Sequence, residues 1–306
     1  MVSRPVPLLA SRSLAAEPGE RLRRTVAMLQ RRGYALPPAR LGALCIGGAL
    51  PAPAVLEAVA GDPELELADG LVVRGGSRPA SSVAERARCH GQASSDYLPA
   101  TLSFVRNLVT LSPYVLAVSV AGSMASGGFR ASDDVDLNLV VEDGRRHLAY
   151  VALNTLGLVH ALRFRGKPVD AHTARPLVPR LMTANLILER SQCFPLVRQD
   201  EDMAYELLVS QAVHGIGVWR EVVARNPGLL DHFPQLAEKP APWAIEPRQG
   251  LPGWLFPAAL DAPARLLGGA AWNYMQWTRR RRPEALARVA YVRATMAPYA
   301  LFEERR

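Results

Sequence analysis

Residues 120–141 read Val-Ala-Gly-Ser-Met-Ala-Ser-Gly-Gly-Phe-Arg-Ala-Ser-Asp-Asp-Val-Asp-Leu-Asn-Leu-Val-Val. The run leading into them, from Tyr114 to Ala121, is almost continuously apolar through Val115, Leu116, Val118 and Val120, as a strand buried on both faces requires. Gly122-Ser123 ends that strand and opens a short helix. Val135 to Val141 forms a second apolar strand. The stretch is therefore a strand, a small-residue bend with a helical turn, and a second strand entered through three aspartates.

The chemistry of the bend follows from its residue types. A helix start presents unpaired N–H groups and the positive end of the helix dipole, which suits phosphate. Gly122 lets backbone approach a ligand closely. The Ser123 hydroxyl can add a hydrogen bond or cap the helix. Ser126, Gly127 and Gly128 leave room for a polyphosphate, and Arg130 reads either as a phosphate contact or as a solvated loop residue. Asp134 and Asp136 flank Val135. The two-residue period of a strand puts both carboxylates on one face and Val135 in the core, with Cα atoms about 6.5–7 Å apart. Such a pair can hold divalent cations about 3.5–4 Å apart, the arrangement used for in-line phosphoryl chemistry. Two acids on one face repel unless a cation neutralises them. The plainer alternative is a polar strand entrance with Asp133 and Asp134 as turn residues.

This segment resembles the signature of the nucleotidyltransferase superfamily, whose catalytic fold is that of the DNA polymerase β palm. The matching elements are Gly122-Ser123, the spacing to Asp134, the run Asp134-Val135-Asp136-Leu137 and the preceding Ser132-Asp133. The resemblance implies that Gly122, Ser123, Ser126, Arg130 and Ser132 face the nucleotide. It implies that Asp134 and Asp136 ligate magnesium, or manganese. It also implies a third catalytic carboxylate on a neighbouring strand, for which Asp170 in Lys167-Pro-Val-Asp-Ala-His172 is the candidate, with a strand-end or helix-capping Asp as the alternative. The implied activity is metal-dependent transfer of a nucleoside monophosphate from a nucleoside triphosphate to an acceptor, which is a small molecule, an RNA or a protein. His172 shares the face of Asp170. Lys167 and Arg165 are either phosphate contacts or exposed strand-edge charges.

Outward from this core, Leu162–His172 alternates as a third strand. Helices are expected over 145–158 and 179–190. This gives a small mixed-sheet catalytic unit over 114–190. Upstream, residues 19–76 give three helices, near 20–32, 36–45 and 53–60, and then a hairpin of Leu65–Ala68 and Leu71–Arg74 around Asp69-Gly70. That is the winged-helix order. The third helix would read DNA in a DNA-binding version, but it carries Pro51, Pro53, Glu57 and no Arg or Lys, which favours a protein-contact or scaffolding role. Residues 1–18 read as a flexible tail and 77–113 as connecting helices with an apolar stripe through Leu98, Leu102, Val105 and Leu108. Residues 191–306 read as helical. They are broken by a proline-rich loop at 240–257, carry Trp272, Tyr274 and Trp277, and end one helix at the run Arg279–Arg282. The fold class is thus α+β, a mixed-sheet core flanked by a winged-helix-like unit and a helical region.

Composition sets the outer bounds. The formal charge of +8 rests almost wholly on arginine, since Lys167 and Lys239 are the only lysines. Biased coding explains this as readily as an anionic partner does. Three dispersed cysteines form neither a zinc motif nor a disulfide framework and fit a cytoplasmic setting. No run approaches the length of a membrane span. The expected partners are a nucleoside triphosphate and an acceptor, with no membrane.

Overall fold

The computed structural model describes residues 17–168, 181–249 and 256–279. Its element order is α1 (Pro18–Arg31), α2 (Pro38–Ala43), α3 (Ala52–Gly61), β1 (Leu65–Ala68), β2 (Leu71–Arg74), α4 (Ser81–Leu111), β3 (Val115–Ala121), α5 (Gly122–Ser126), β4 (Val135–Val141), α6 (Arg146–Ala161), β5 (Met182–Glu189), α7 (Glu201–Val209), β6 (Gln211–His214), α8 (Ile216–Ala224), α9 (Gly228–His232) and α10 (Asp261–Arg279). The class is α+β with a mixed sheet. Among the described residues no helix is long and apolar enough to cross a membrane.

Prolines set the starts of the first three helices. Pro18 and Pro38 occupy first-turn positions, where the missing N–H costs nothing, and Pro51 precedes α3. The β1–β2 hairpin closes through Asp69 (φ 52°) and Gly70 (φ 77°), two successive left-handed residues that match the twist of paired strands. Leu36, between α1 and α2, makes an antiparallel bridge to Val72. The order helix, bridge, helix, helix, hairpin follows the sequence reading of this unit.

The main sheet has the order β5-β4-β3-β6. β3 pairs antiparallel with β4 and with β6, while β4 pairs parallel with β5. One face carries Val118, Val120, Leu137, Leu139 and Ile187, which pack with α4 and α6. The other carries Ala117, Val140, Leu186 and Leu188, which join one cluster with Leu22, Met28, Leu41 and Val55 of the first three helices and with Tyr205, Trp219 and Phe233. The N-terminal unit therefore shares its core with the sheet.

Three expectations are corrected. The chain over 162–164 is a turn of 3₁₀ helix continuing α6, so no strand begins at Leu162. The third strand is instead Met182–Glu189, where a helix was expected. The mixed stretch Met-Thr-Ala-Asn-Leu-Ile-Leu-Glu shows no decisive period, and pairing with central β4 decides its state. Ala212 and Val213, expected on a helix face, belong to β6, because Ser210 leaves α7 in extended conformation and the chain pairs with the free edge of β3. Asp170, His172, residues 1–16, the proposed helix Glu284–Met296 and Arg280–Arg282 lie outside the described residues, as do the side chains of Trp272, Tyr274 and Arg279. Trp277 is exposed.

Candidate active site

The antiparallel register sets Ala121 opposite Asp136, so the bend that follows β3 lies against the first turn of β4. Gly122 sits there at φ +59°. A Cβ at this position would lie 2.0 Å from Asp136 Oδ2 and 2.8 Å from its Cβ and Cγ. Both the backbone conformation and the space demand glycine. The small-residue bend and the acidic strand, separated in sequence, are in van der Waals contact. The other carboxylate oxygen of Asp136 accepts a 2.6 Å hydrogen bond from Thr183 Oγ1, whose Cα is the register partner of Asp136 across β4 and β5. Asp136 is fixed from two neighbouring strands while staying partly exposed.

The loop between bend and strand is braced from outside the sheet. The guanidinium of Arg86 on α4 donates to both oxygens of Asp133, at 2.5 and 3.2 Å, and to the carbonyl of Gly128. Asp133 also accepts from the backbone N–H of Arg130, whose own guanidinium lies 3.7 Å away. The imidazole of His90 accepts from Phe129 N–H. From the N-terminal unit, Arg40 donates to the carbonyl of Ala125 at the end of α5, and the Tyr34 ring packs where a Gly128 side chain would stand. Asp133 is thus a structural anchor, while Asp134 and Asp136 are partly exposed.

Charge balance comes from Lys167. This residue was read as an exposed edge or phosphate contact, yet it is 7% exposed, with its ammonium 5.8 Å from the centre of the Tyr97 ring. Burial lowers its pKa, while Asp134 and Asp133 oppose that shift. A buried cation near Asp134 offsets part of the repulsion between neighbouring carboxylates.

Two residues beyond Asp136 on the same face, Asn138 begins a second polar row. Asn185 Nδ2 donates to Asn138 Oδ1 and to Glu206 Oε1, both at 2.8 Å, and Asn138 Nδ2 reaches Glu206 at 3.4 Å. Arg32 stands 3.8 Å from the second Glu206 oxygen and 2.8 Å from Asp202. Burial raises the Glu206 carboxyl above its ordinary range, and Arg32 and the two amides counter this. A network of this kind ties the end of α1, α7, β4 and β5 to one another. Parity with Asp136 could have flagged Asn138. Glu206, inside an apolar helical run, gave no such sign.

Of the residues singled out in the sequence, Gly122 and Ser123 open α5, and Asp136 lies against Gly122. Ser123 lies inside the first turn of α5 and is not its cap. Ser126 is turned inward and donates to the carbonyl of Gly122 at 2.8 Å, so its hydroxyl ties the bend together. Arg130 contacts Asp133. Asp170 lies outside the described residues. Among the described residues no three His, Cys, Asp or Glu side chains cluster as a metal cage. Asp134 and Asp136 nonetheless offer hard oxygen donors, and magnesium is commonly held by one or two carboxylates with the remaining positions filled by water and substrate phosphate. No protein-family model, curated protein or solved structure matches the chain.

Proposed function

We propose that this protein is a metal-dependent nucleotidyltransferase. The observation that carries the reading is the contact between Gly122 and Asp136, which puts a bend suited to phosphate against a carboxylate suited to a divalent cation. In this reading the triphosphate lies along the backbone of Gly122 and Ser123. Ser132 lines the path and Arg130 stands close to it. Lys167, beside Asp134, supplies positive charge on the phosphate side. Asp134 and Asp136 hold magnesium, with Asp170 as the third carboxylate. When bound, the metal neutralises charge developing on the phosphate oxygens. The chain's own residues orient the triphosphate so that an acceptor attacks the α-phosphorus in line and pyrophosphate departs. The hydrogen bond from Thr183 holds Asp136 in one rotamer, so its orientation is set before substrate arrives.

The alternative is a winged-helix regulator that only senses nucleotide. The exposed face of α3 carries Pro51, Pro53, Leu56 and Glu57 and no cation, which disfavours a DNA contact. Equilibrium dialysis with a panel of labelled triphosphates tests the binding half of the proposal. Magnesium-dependent binding that Asp134→Asn weakens supports it. Binding that is indifferent to magnesium and to this substitution contradicts it.

A further inference from the structure

A cavity of about 330 Å³ lies on the sheet face opposite α4 and α6. It is framed by β3 and β6, by the end of α7, by α8, and by the chain from the 3₁₀ turn Pro234–Glu238 to Ala241. Its size falls at the lower end of small-molecule pockets, which run from roughly 300 to 1,000 Å³. None of Gly122, Asp134 and Asp136 lines it, so it is separate from the candidate catalytic cleft.

The lining has a consistent chemistry. Its body is apolar, chiefly Leu207, Ile216, Trp219, Val223, Leu230 and Leu236. Its charged residues are Arg220 and Lys239, and it contains no Asp or Glu. Arg220 is exposed and has no ion-pair partner among the described residues. Lys239 donates to the carbonyl of Leu207 at 2.6 Å; burial lowers its pKa to about 7, with Glu206 opposing that shift, so a further anion beside it favours its charged form. The lining thus combines an apolar body with two basic side chains, Arg220 on α8 and Lys239 after the 3₁₀ turn, and no acid.

We propose that this cavity binds a small amphipathic anion, an aromatic or short aliphatic carboxylate, with its apolar body among Leu207, Trp219 and Leu236 and its carboxylate between Arg220 and Lys239. The apolar walls exclude water from the body of the ligand, which strengthens the charge-assisted hydrogen bonds at its head. Both cations sit on segments that differ in conformation and sequence position, α8 and the stretch after the 3₁₀ turn. A ligand bridging them would tie those segments together and raise the melting temperature.

The site does not depend on the transferase reading, and its test does not involve nucleotide. Isothermal titration with 4-phenylbutyrate and with the uncharged 4-phenylbutanol, on the full chain, gives the comparison. The expected result is saturable binding of the acid, with the alcohol about tenfold weaker or worse. Arg220→Gln and Lys239→Gln should each weaken the acid by about tenfold and leave the alcohol unchanged. Arg220 is exposed, so its replacement keeps the fold. Ala212→Leu, which fills the β6 wall, should weaken both ligands, with a thermal melt confirming that the variant is folded. Equal affinity for acid and alcohol, insensitivity of the acid to both cation replacements, or no saturable binding at millimolar concentration would each overturn the proposal.

Discussion

Gly122 is the residue on which the site turns. Its left-handed backbone and its contact with Asp136 leave no volume for a side chain. Gly122→Ala therefore forces either the bend or the carboxylate to move. We predict a stability loss of roughly 1–3 kcal/mol together with loss of nucleotide binding beyond what the melting shift explains. Wild-type binding in a folded Gly122→Ala protein would show that the contact is incidental. A second residue-scale prediction concerns His147 on α6. Burial, and after it Arg146, lowers its imidazole from 6.5 to about 4. Between those values the unfolded chain takes up a proton that the folded chain refuses. Stability is therefore lost as pH falls through that window, by up to about 3 kcal/mol from this group. Melting temperature against pH should fall less steeply in His147→Gln; parallel curves for variant and wild type would refute the assignment. At this scale the sequence was legible where spacing carried chemistry. Asp136 lies near the start of β4 against Gly122, and Asp134 immediately precedes that strand. Thr183 and Glu206 were not legible, because their roles come from neighbours distant in sequence, across β5 and α7.

The same division holds for elements. The hairpin of β1 and β2 and the strands β3 and β4 were readable, because Asp-Gly turns and continuous apolar runs leave few alternatives. β5 and β6 were not. Met182–Glu189 carries a mixed pattern with Asn185 in its middle, and its strand state follows from pairing beside β4. Gln211–His214 is four residues long and was absorbed into the helical pattern on either side. What separates β6 from α8 is Gly215, at φ +62°, where a Cβ would lie 2.0 Å from the carbonyl of Leu116. Gly215→Ala should therefore unpair β6 from β3 and cost roughly 2–4 kcal/mol. Hydrogen exchange at Val213 and His214 measures this directly, and unchanged protection in the variant would contradict the account.

Among the described residues, the N-terminal helices and the sheet are held together by shared core. Leu22, Met28 and Leu41 of the first helices belong to the same buried cluster as Val140 and Leu188 of the sheet. Arg40 and Tyr34 reach from that unit to the loop beside the bend, and Arg32 reaches from it to Glu206. The N-terminal unit thus braces the loop beside the bend. Calorimetry should give one cooperative transition for the full chain. Two separated transitions would mean that the N-terminal unit folds independently and braces nothing.

The most direct test of the central claim is transfer itself. Purified protein, magnesium and cell extract are incubated with each α-labelled nucleoside triphosphate, alongside Asp136→Asn protein of matched melting temperature. The account predicts a labelled product with release of pyrophosphate in the wild type and its loss, by a factor of at least about 100, in the variant. Equal labelling by the two proteins would contradict it.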